Sequence, residues 1–263
     1  MTSKVINAEI IYPHELTREE RQKFSKSLYN VHNRIFKGLN EKEFDHYVVN
    51  SPANDTKIFI YRNKVEKNII GYYAVHRFEK IIENKSLIIF RIETGLLPEY
   101  RHKNADVSFW WKEAIKFKIL HPNKKVYFLV TPINPCMYAI LAKYIYKVYP
   151  TYNSVFPSKV EKLMMLLADE FEIKKLDENN PLVRKIGWIT QADDKEKAYW
   201  QSSKNPHFRF YNNSNPDFEK GNGLLTLIPL TFINLFISFF TFIIFYSFKK
   251  NIKYFLSRLR EHQ

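Results

Sequence analysis

The stretch SLIIFRIETGLLPEYRHKNADVSFWWKEAIKFKIL, residues 86–120, constrains the fold more than any other part of the chain. Its apolar, β-branched opening from Leu87 to Leu97 predicts a strand. Pro98 to Asn104 then form a basic turn, and a helix runs from about Ala105 to Leu120, stopping ahead of Pro122. A second strand, Val126 to Thr131, follows that helix. Strand, crossover helix and strand imply a parallel pair. The turn that enters the helix is an anion cradle, because the first N–H groups of a helix point outward and its dipole adds positive potential.

The rest of the first 200 residues supplies elements around this unit. Val5 to Tyr12 reads as a strand closed by Pro13. Thr17 and Glu20 form a capping box for a helix with Phe24, Leu28, Val31 and Ile35 on one face, stopped by Gly38. A short helix over Glu41 to Val49 follows. Lys57 to Arg62 and Ile69 to Phe78 read as strands joined by the polar turn Asn63 to Asn68, and Glu79 to Lys85 is a second turn into the strand at Leu87. Asn134-Pro135 opens a helix over Cys136 to Tyr149, ended by Pro150. Ser158 with Glu161 caps another helix, and Phe171 to Leu176 and Leu182 to Thr190 could extend the sheet. The expectation is an α/β (α+β) domain over 1–200 built on a mixed sheet.

This order over roughly residues 4–150, together with Leu96-Leu97-Pro98-Glu99-Tyr100-Arg101, resembles the GNAT superfamily of N-acyltransferases. In that family a strand ending in a V-x-P-x-Y-R-like stretch leads into a loop that wraps the pyrophosphate of coenzyme A. The family's loop glycines are replaced here, in Arg101-His102-Lys103-Asn104-Ala105. The resemblance implies two parallel strands that splay apart, with acyl-coenzyme A in the gap. It implies that Arg101, His102, Lys103, Asn104 and Ala105 hold phosphate, chiefly through backbone N–H groups, and that Asn134 lies beside the cofactor. Acyl transfer to an amine also needs a base, a polarised thioester carbonyl and an acid for the thiolate. Glu93, on the strand face shared with Arg91 and Gly95, is the expected base. A bulge at Gly95 would expose the Leu96 N–H to the carbonyl. Tyr144 or Tyr138 would protonate the thiolate, although they lie ten and four residues beyond Asn134 where the family's usual spacing is about seven.

Composition narrows the partners. The net charge of +14 favours anions: nucleotide phosphates, anionic lipid or nucleic acid. The lysines are dispersed and no nucleic-acid motif is present, so nucleic acid is not expected. The single cysteine, Cys136, excludes an internal disulfide and a multi-cysteine zinc site. His76, His102, His121 and His207 show no metal-ligand spacing, so no metal is expected.

Residues 201–223, rich in Asn, Ser, Pro and Gly, read as a loop or linker. Leu224 to Phe248 carries no charge over a length that spans a bilayer, and reads as a membrane segment. The basic amphipathic tail 249–263 follows, with Ile252, Phe255, Leu256 and Leu259 on one face. No secretory signal precedes the domain, which places it on the cytoplasmic face. Two topologies stay open: a single span, and a re-entrant segment turning near Pro229 and Asn234 that keeps the tail's cations beside the domain. Two function classes also stay open. One is a membrane-associated N-acyltransferase using acyl-coenzyme A on an amine, with long-chain or lipidic substrates suggested by location. The other is a catalytically silent membrane-bound binding or effector protein of the same shape.

Overall fold

The computed structural model describes residues 7–63, 65–101 and 109–241. β1 (Asn7–Ile11) precedes α1 (Arg18–Ile35). The Thr17 hydroxyl accepts the Glu20 N–H and the Glu20 carboxylate accepts the Thr17 N–H, at 3.3 and 2.9 Å, so the expected capping box is formed. The chain passes directly into β2 (Phe36–Lys37), turns at Gly38 and enters the short α2 (Glu41–Phe44). β3 (Asp55–Arg62), β4 (Ile69–Ile82) and β5 (Lys85–Leu96) form the expected antiparallel meander. β4 runs on to Ile82, past the strand end expected at Phe78. The reason is the turn: Glu83 and Asn84 both take positive φ, as a tight two-residue hairpin requires, so the polar residues 79–82 stay paired.

α3 (Phe109–Leu120), β6 (Lys125–Val130), α4 (Pro135–Tyr144) and α5 (Ser158–Glu170) follow. β5 and β6 are parallel, as the crossover helix implies. Alternation along β5 divides the core. Leu87, Ile89, Arg91, Glu93 and Gly95 share a face with Tyr72, His76 and Phe78 of β4. Gly95 on this face abuts Ile35 and Phe36, at the end of α1. Ile89 and Phe78 pack with Met164 and Leu167 of α5. On the other face Ile88 and Phe90 pack with Ala114 and Phe117 of α3 and Leu141 of α4, and a Lys57–Glu113 ion pair ties β3 to α3.

The remaining elements are β7 (Val183–Lys185), β8 (Ile189–Thr190), α6 (Asp194–Ser202), α7 (Pro206–Ser214), β9 (Asn222–Leu224) and β10 (Thr226–Pro229). The main sheet has the order β1-β3-β4-β5-β6-β10. The stretches 171–176 and 182–190 do not extend it; β7 pairs with β9, and β8 with β2. Ser158 begins α5 without a capping box, since Pro157 occupies the N-cap.

Two expectations about the C-terminal third are corrected. Residues 201–223 are not a plain loop. Their Asn and Pro are helix-start chemistry, with the Asn205 side chain capping α7 and Pro206 as its first residue. Phe208, Tyr211 and Phe218 pack with Tyr138, Trp200 and Leu224. Residues 224–248 are not one membrane helix either. Leu224 ends β9, and Thr226–Pro229 pair with β6. Leu225, Leu227 and Ile228 are buried, and a strand covered on both faces reads as an uninterrupted apolar run, just as a membrane segment does. Helical residues begin at 232. Among the described residues no helix is long and apolar enough to cross a membrane. Residues 242–263, including the expected tail helix, lie outside the described residues.

Pro229 closes β10 and does not kink a helix, and Asn234 does not sit at a re-entrant turn. Its carbonyl accepts the Lys147 N–H at 2.8 Å, and its amide donates to the carbonyls of Lys147 at 2.9 Å and Pro229 at 2.7 Å. Ser238 accepts the Tyr146 N–H at 2.9 Å. These two buried side chains clip helical residues 232–241 to the chain after α4. Asn234→Ala strands the Lys147 N–H and two carbonyls, and is expected to lower stability by about 2–3 kcal/mol. An unchanged urea midpoint in the variant would show that the clip contributes nothing.

Candidate active site

The site is built from a parting of strands. β5 pairs with β4 along its whole length, but with β6 only from Leu87 to Phe90, opposite Lys125 to Phe128. Beyond these pairs β6 is held on its other edge by β10, at Tyr127 to Val130. A gap therefore opens beside residues 91–96, as the resemblance implies. The Leu97 N–H donates to the Ile70 carbonyl at 2.9 Å, toward β4. In an antiparallel ladder the N–H groups alternate in direction, so those of Ile92, Thr94 and Leu96 point to the opposite edge, where β6 has departed.

Glu93 stands at this gap with its side chain 13% exposed. His76 Nε2 lies 2.8 Å from Glu93 Oε2, and His76 Nδ1 lies 2.9 Å from Thr56 Oγ1. Thr56 and His76 are buried and face each other across β3 and β4. The Nε2–Oε2 contact has hydrogen-bond length but poor alignment, so neither atom has a well-directed partner. The contact joins the two groups by proximity, as an ion pair when the imidazole is protonated and as a poorly aligned Nε2–H···Oε2 contact when it is neutral. Burial, then the Glu93 charge, pushes the Tyr72 hydroxyl well above the usual phenol range, and the same two causes act on Tyr73. Sequence reading missed His76 and Thr56. Their signal was the β3–β4 and β4–β5 register, which becomes definite only once the hairpin turns are known.

Gly95 carries no bulge, since the β4–β5 register is unbroken from Leu96 to Lys85. Its lack of a side chain serves packing: a Cβ there would meet Phe36 Cε2 at 2.7 Å and Ile35 at 3.0 Å. The Leu96 N–H is exposed to the gap by ladder alternation, and a bulge is not needed.

The phosphate-binding candidates divide. His102, Lys103, Asn104 and Ala105 lie outside the described residues. Arg101 is engaged within the protein: Nη1 is 2.6 Å from Glu196 Oε2, Nη2 donates to the Gln191 carbonyl at 2.7 Å and Nε to the Leu96 carbonyl at 3.3 Å. Asn134 caps α4 through the Met137 N–H at 2.9 Å and donates to Thr190 Oγ1 at 3.1 Å. Residues 190–196 thus tie together the chain just past the ends of β5 and β6. This strap is also held by the Gln191 N–H on the Ile35 carbonyl and by β8 on β2.

Tyr138 is not a proton donor to a ligand. It is fully buried and its hydroxyl donates to the Pro150 carbonyl at 2.9 Å; burial raises its pKa. Tyr144, half-buried at the end of α4, has the Lys143 ammonium 5.3 Å from its ring. Burial pushes the Cys136 thiol up, away from a reactive thiolate. Among the described residues no group of three His, Cys, Asp or Glu side chains could hold a metal.

No family profile and no curated protein matches the chain. Solved structures similar to it include a probable N-acyltransferase from Enterococcus faecalis, at 12% identity and TM-score 0.34, over 52% of this chain and 32% of that one. An acetyltransferase from Trypanosoma brucei aligns at 9% identity and TM-score 0.34, over 57% of this chain and 100% of that one. Glucosamine-6-phosphate N-acetyltransferase from Arabidopsis thaliana aligns at 15% identity and TM-score 0.31, over 57% and 95%. The chain thus spans about a third of the first of these and nearly all of the other two. Similarity at these scores decides nothing about chemistry, which rests on the residues above.

Beside the site, His32 accepts or donates at Nδ1 with the Tyr72 hydroxyl, 2.8 Å away, among the rings of Phe36, Phe44 and Trp188. Burial holds its pKa down at about 4, from 6.5. Between these values the unfolded chain binds a proton that the folded one excludes, so stability rises with pH across the window. The contribution is fully present above pH 6.5 and is lost as pH falls through about 4. It amounts to roughly 3 kcal/mol at most. Denaturant titrations from pH 4 to 7 should show this slope in the wild type and a flatter one in His32→Phe; equal slopes would remove His32 as the cause.

Proposed function

We propose that this protein is an N-acyltransferase that moves an acyl group from acyl-coenzyme A to an amine, and that it works at the cytoplasmic face of an anionic membrane. The observation that carries the enzyme reading is the parting of β5 from β6 immediately beside Glu93. In this reading the thioester enters the gap and its carbonyl oxygen accepts the Leu96 N–H. Glu93 takes a proton from the acceptor ammonium, directly or through water. The amine nitrogen bonds to the carbonyl carbon and the C–S bond breaks; Tyr144 gives its proton to the thiolate and regains one from the nitrogen as the amide forms, while Glu93 releases its proton to solvent. The turn 101–105 meets the phosphates through backbone N–H groups, while the Arg101 side chain fixes the turn to the strap.

The strap favours one second reading. Residues 190–196 bridge the mouth of the gap and occupy Arg101 and Asn134, which suits a catalytically silent binding protein. Calorimetry with coenzyme A on the full chain separates the two. Binding is expected, and with an acceptor in hand Glu93→Gln should lower kcat at least 100-fold with little change in coenzyme A affinity. No coenzyme A binding would favour the silent reading; wild-type turnover in Glu93→Gln would take that residue out of the mechanism.

The membrane reading is supported by helical residues 232–241. Asn234, Leu235 and Ser238 face inward, while Phe232, Ile233, Phe236, Phe239 and Phe240 are exposed, Ile233 and Phe236 by about two-thirds. The Lys118 ammonium lies 5.3 Å from the Phe232 ring, and neighbouring Ile119 and Leu120 are exposed as well. An apolar aromatic face with cations nearby suits a bilayer interface, and Lys249, Lys250, Lys253, Arg258 and Arg260 add charge in the sequence beyond. A lipidic acyl donor or amphipathic amine fits this location. Sedimentation with vesicles containing phosphatidylserine should pull down the wild type, and Phe236→Glu with Phe240→Glu should weaken that association at least 10-fold. Equal association would dismiss this face.

A further inference from the structure

We propose that His76 and Thr56 position the Glu93 carboxylate, so that the reactive group is a buried Thr–His–Glu chain and Glu93 does not act alone. The proposal rests on Glu93 being the base of the reading above. The three side chains come from three adjacent strands, with Thr56 Oγ1 2.9 Å from His76 Nδ1 and His76 Nε2 2.8 Å from Glu93 Oε2.

The proton inventory fixes the order. At 2.8 Å the arrangement that suits a working base is an ionised Glu93 facing an Nε2–H of the imidazole. A neutral imidazole with Nε2–H has a bare Nδ1, and the Thr56 hydroxyl is placed to donate to it. Thr56 thereby selects the tautomer, His76 holds Oε2, and Oε1 remains for the acceptor ammonium. His76 is fully buried and acts through Glu93, so it is a positioning residue. With Thr56 on β3 and His76 on β4, the carboxylate's direction is a property of the sheet.

Other groups around Glu93 do not replace this function. Arg91, on the same strand face, lies with its guanidinium 5.1 Å from the Phe171 ring of the α5 end. Tyr72 and Tyr73 on β4 are buried phenols, and Tyr72 is paired with His32 of α1. Lys80 on β4 is paired with Glu170 of α5 at 2.8 Å.

The test uses the full chain with 15N-labelled histidine. At pH 7.5 the His76 imidazole should show the shifts of the neutral Nε2–H tautomer. Thr56→Val, nearly the same shape without the hydroxyl, should move it toward a mixture of tautomers, while Thr56→Ser should resemble the wild type. A dominant Nδ1–H form, or identical shifts in Thr56→Val, would overturn the proposal whether or not the protein is an enzyme. In kinetics, Thr56→Val should lower kcat roughly 5- to 10-fold, the scale of one lost hydrogen bond, with KM for acyl-coenzyme A unchanged. A wild-type kcat in Thr56→Val alongside an inactive Glu93→Gln would defeat the relay and leave the base; a fully active Glu93→Gln would defeat the base itself.

Discussion

The short parallel pairing of β5 with β6 is the constraint on which the site depends. Only Leu87–Phe90 and Lys125–Phe128 are joined. Short pairing is forced from both sides. β4 holds β5 along its full length, while β10 holds β6 at its outer edge from Tyr127 to Val130. Each strand is thus fixed by an antiparallel neighbour, and the parallel seam between them gives way first. The backbone groups left facing the gap are polar and need hydrogen-bond partners other than β6. Had β10 been absent, β6 would be an edge strand with nothing to draw it from β5.

The sheet face that carries the site is unusually polar for a core. Thr56–His76–Glu93 and His32–Tyr72 are two buried hydrogen-bonding groups on neighbouring strands, separated by the small residues Ala74 and Gly95. In such surroundings a satisfied contact is strengthened and an unsatisfied one is costly. Gly95 allows Phe36 and Ile35 to pack closely onto this face. Packing and chemistry therefore meet at one residue: the glycine expected to expose an N–H instead brings in the aromatic lid of the core.

Much of this was legible in the sequence, and the failures have physical causes. The capping box at Thr17, the meander and the strand–turn–helix unit are local signals, carried by periodicity and by Pro, Gly and Asn placement. The partners of Glu93 are not local. Placing His76 diagonally across from it requires the Glu83–Asn84 turn, and the longer turn expected over Glu79–Lys85 gives no such register. Residue type marked Arg101 and Asn134 as candidate cofactor contacts, yet the protein partners of each lie some 90 and 56 positions further along the chain. The apolar run from Leu224 misled because burial in a sheet and burial in lipid select the same side chains. Thr226, Ser238, and the Asn234 that must find three hydrogen-bond partners, were local signs of a protein interior.

The strap decides how an anion could be held at the end of β5. Arg101 gives its guanidinium to Glu196 and to the Gln191 carbonyl, and its side chain is only 15% exposed. Charge-assisted bonds of this kind contribute about 1.5–3 kcal/mol each, so pulling the guanidinium away from both would cost a ligand roughly two to four decades of affinity. A phosphate that had to recruit Arg101 would lose most of what it gained. The lower-cost arrangement leaves Arg101 where it is, clamped to the strap. In that arrangement the side chain with the strongest sequence resemblance to a phosphate ligand serves to hold the end of β5 to the strap.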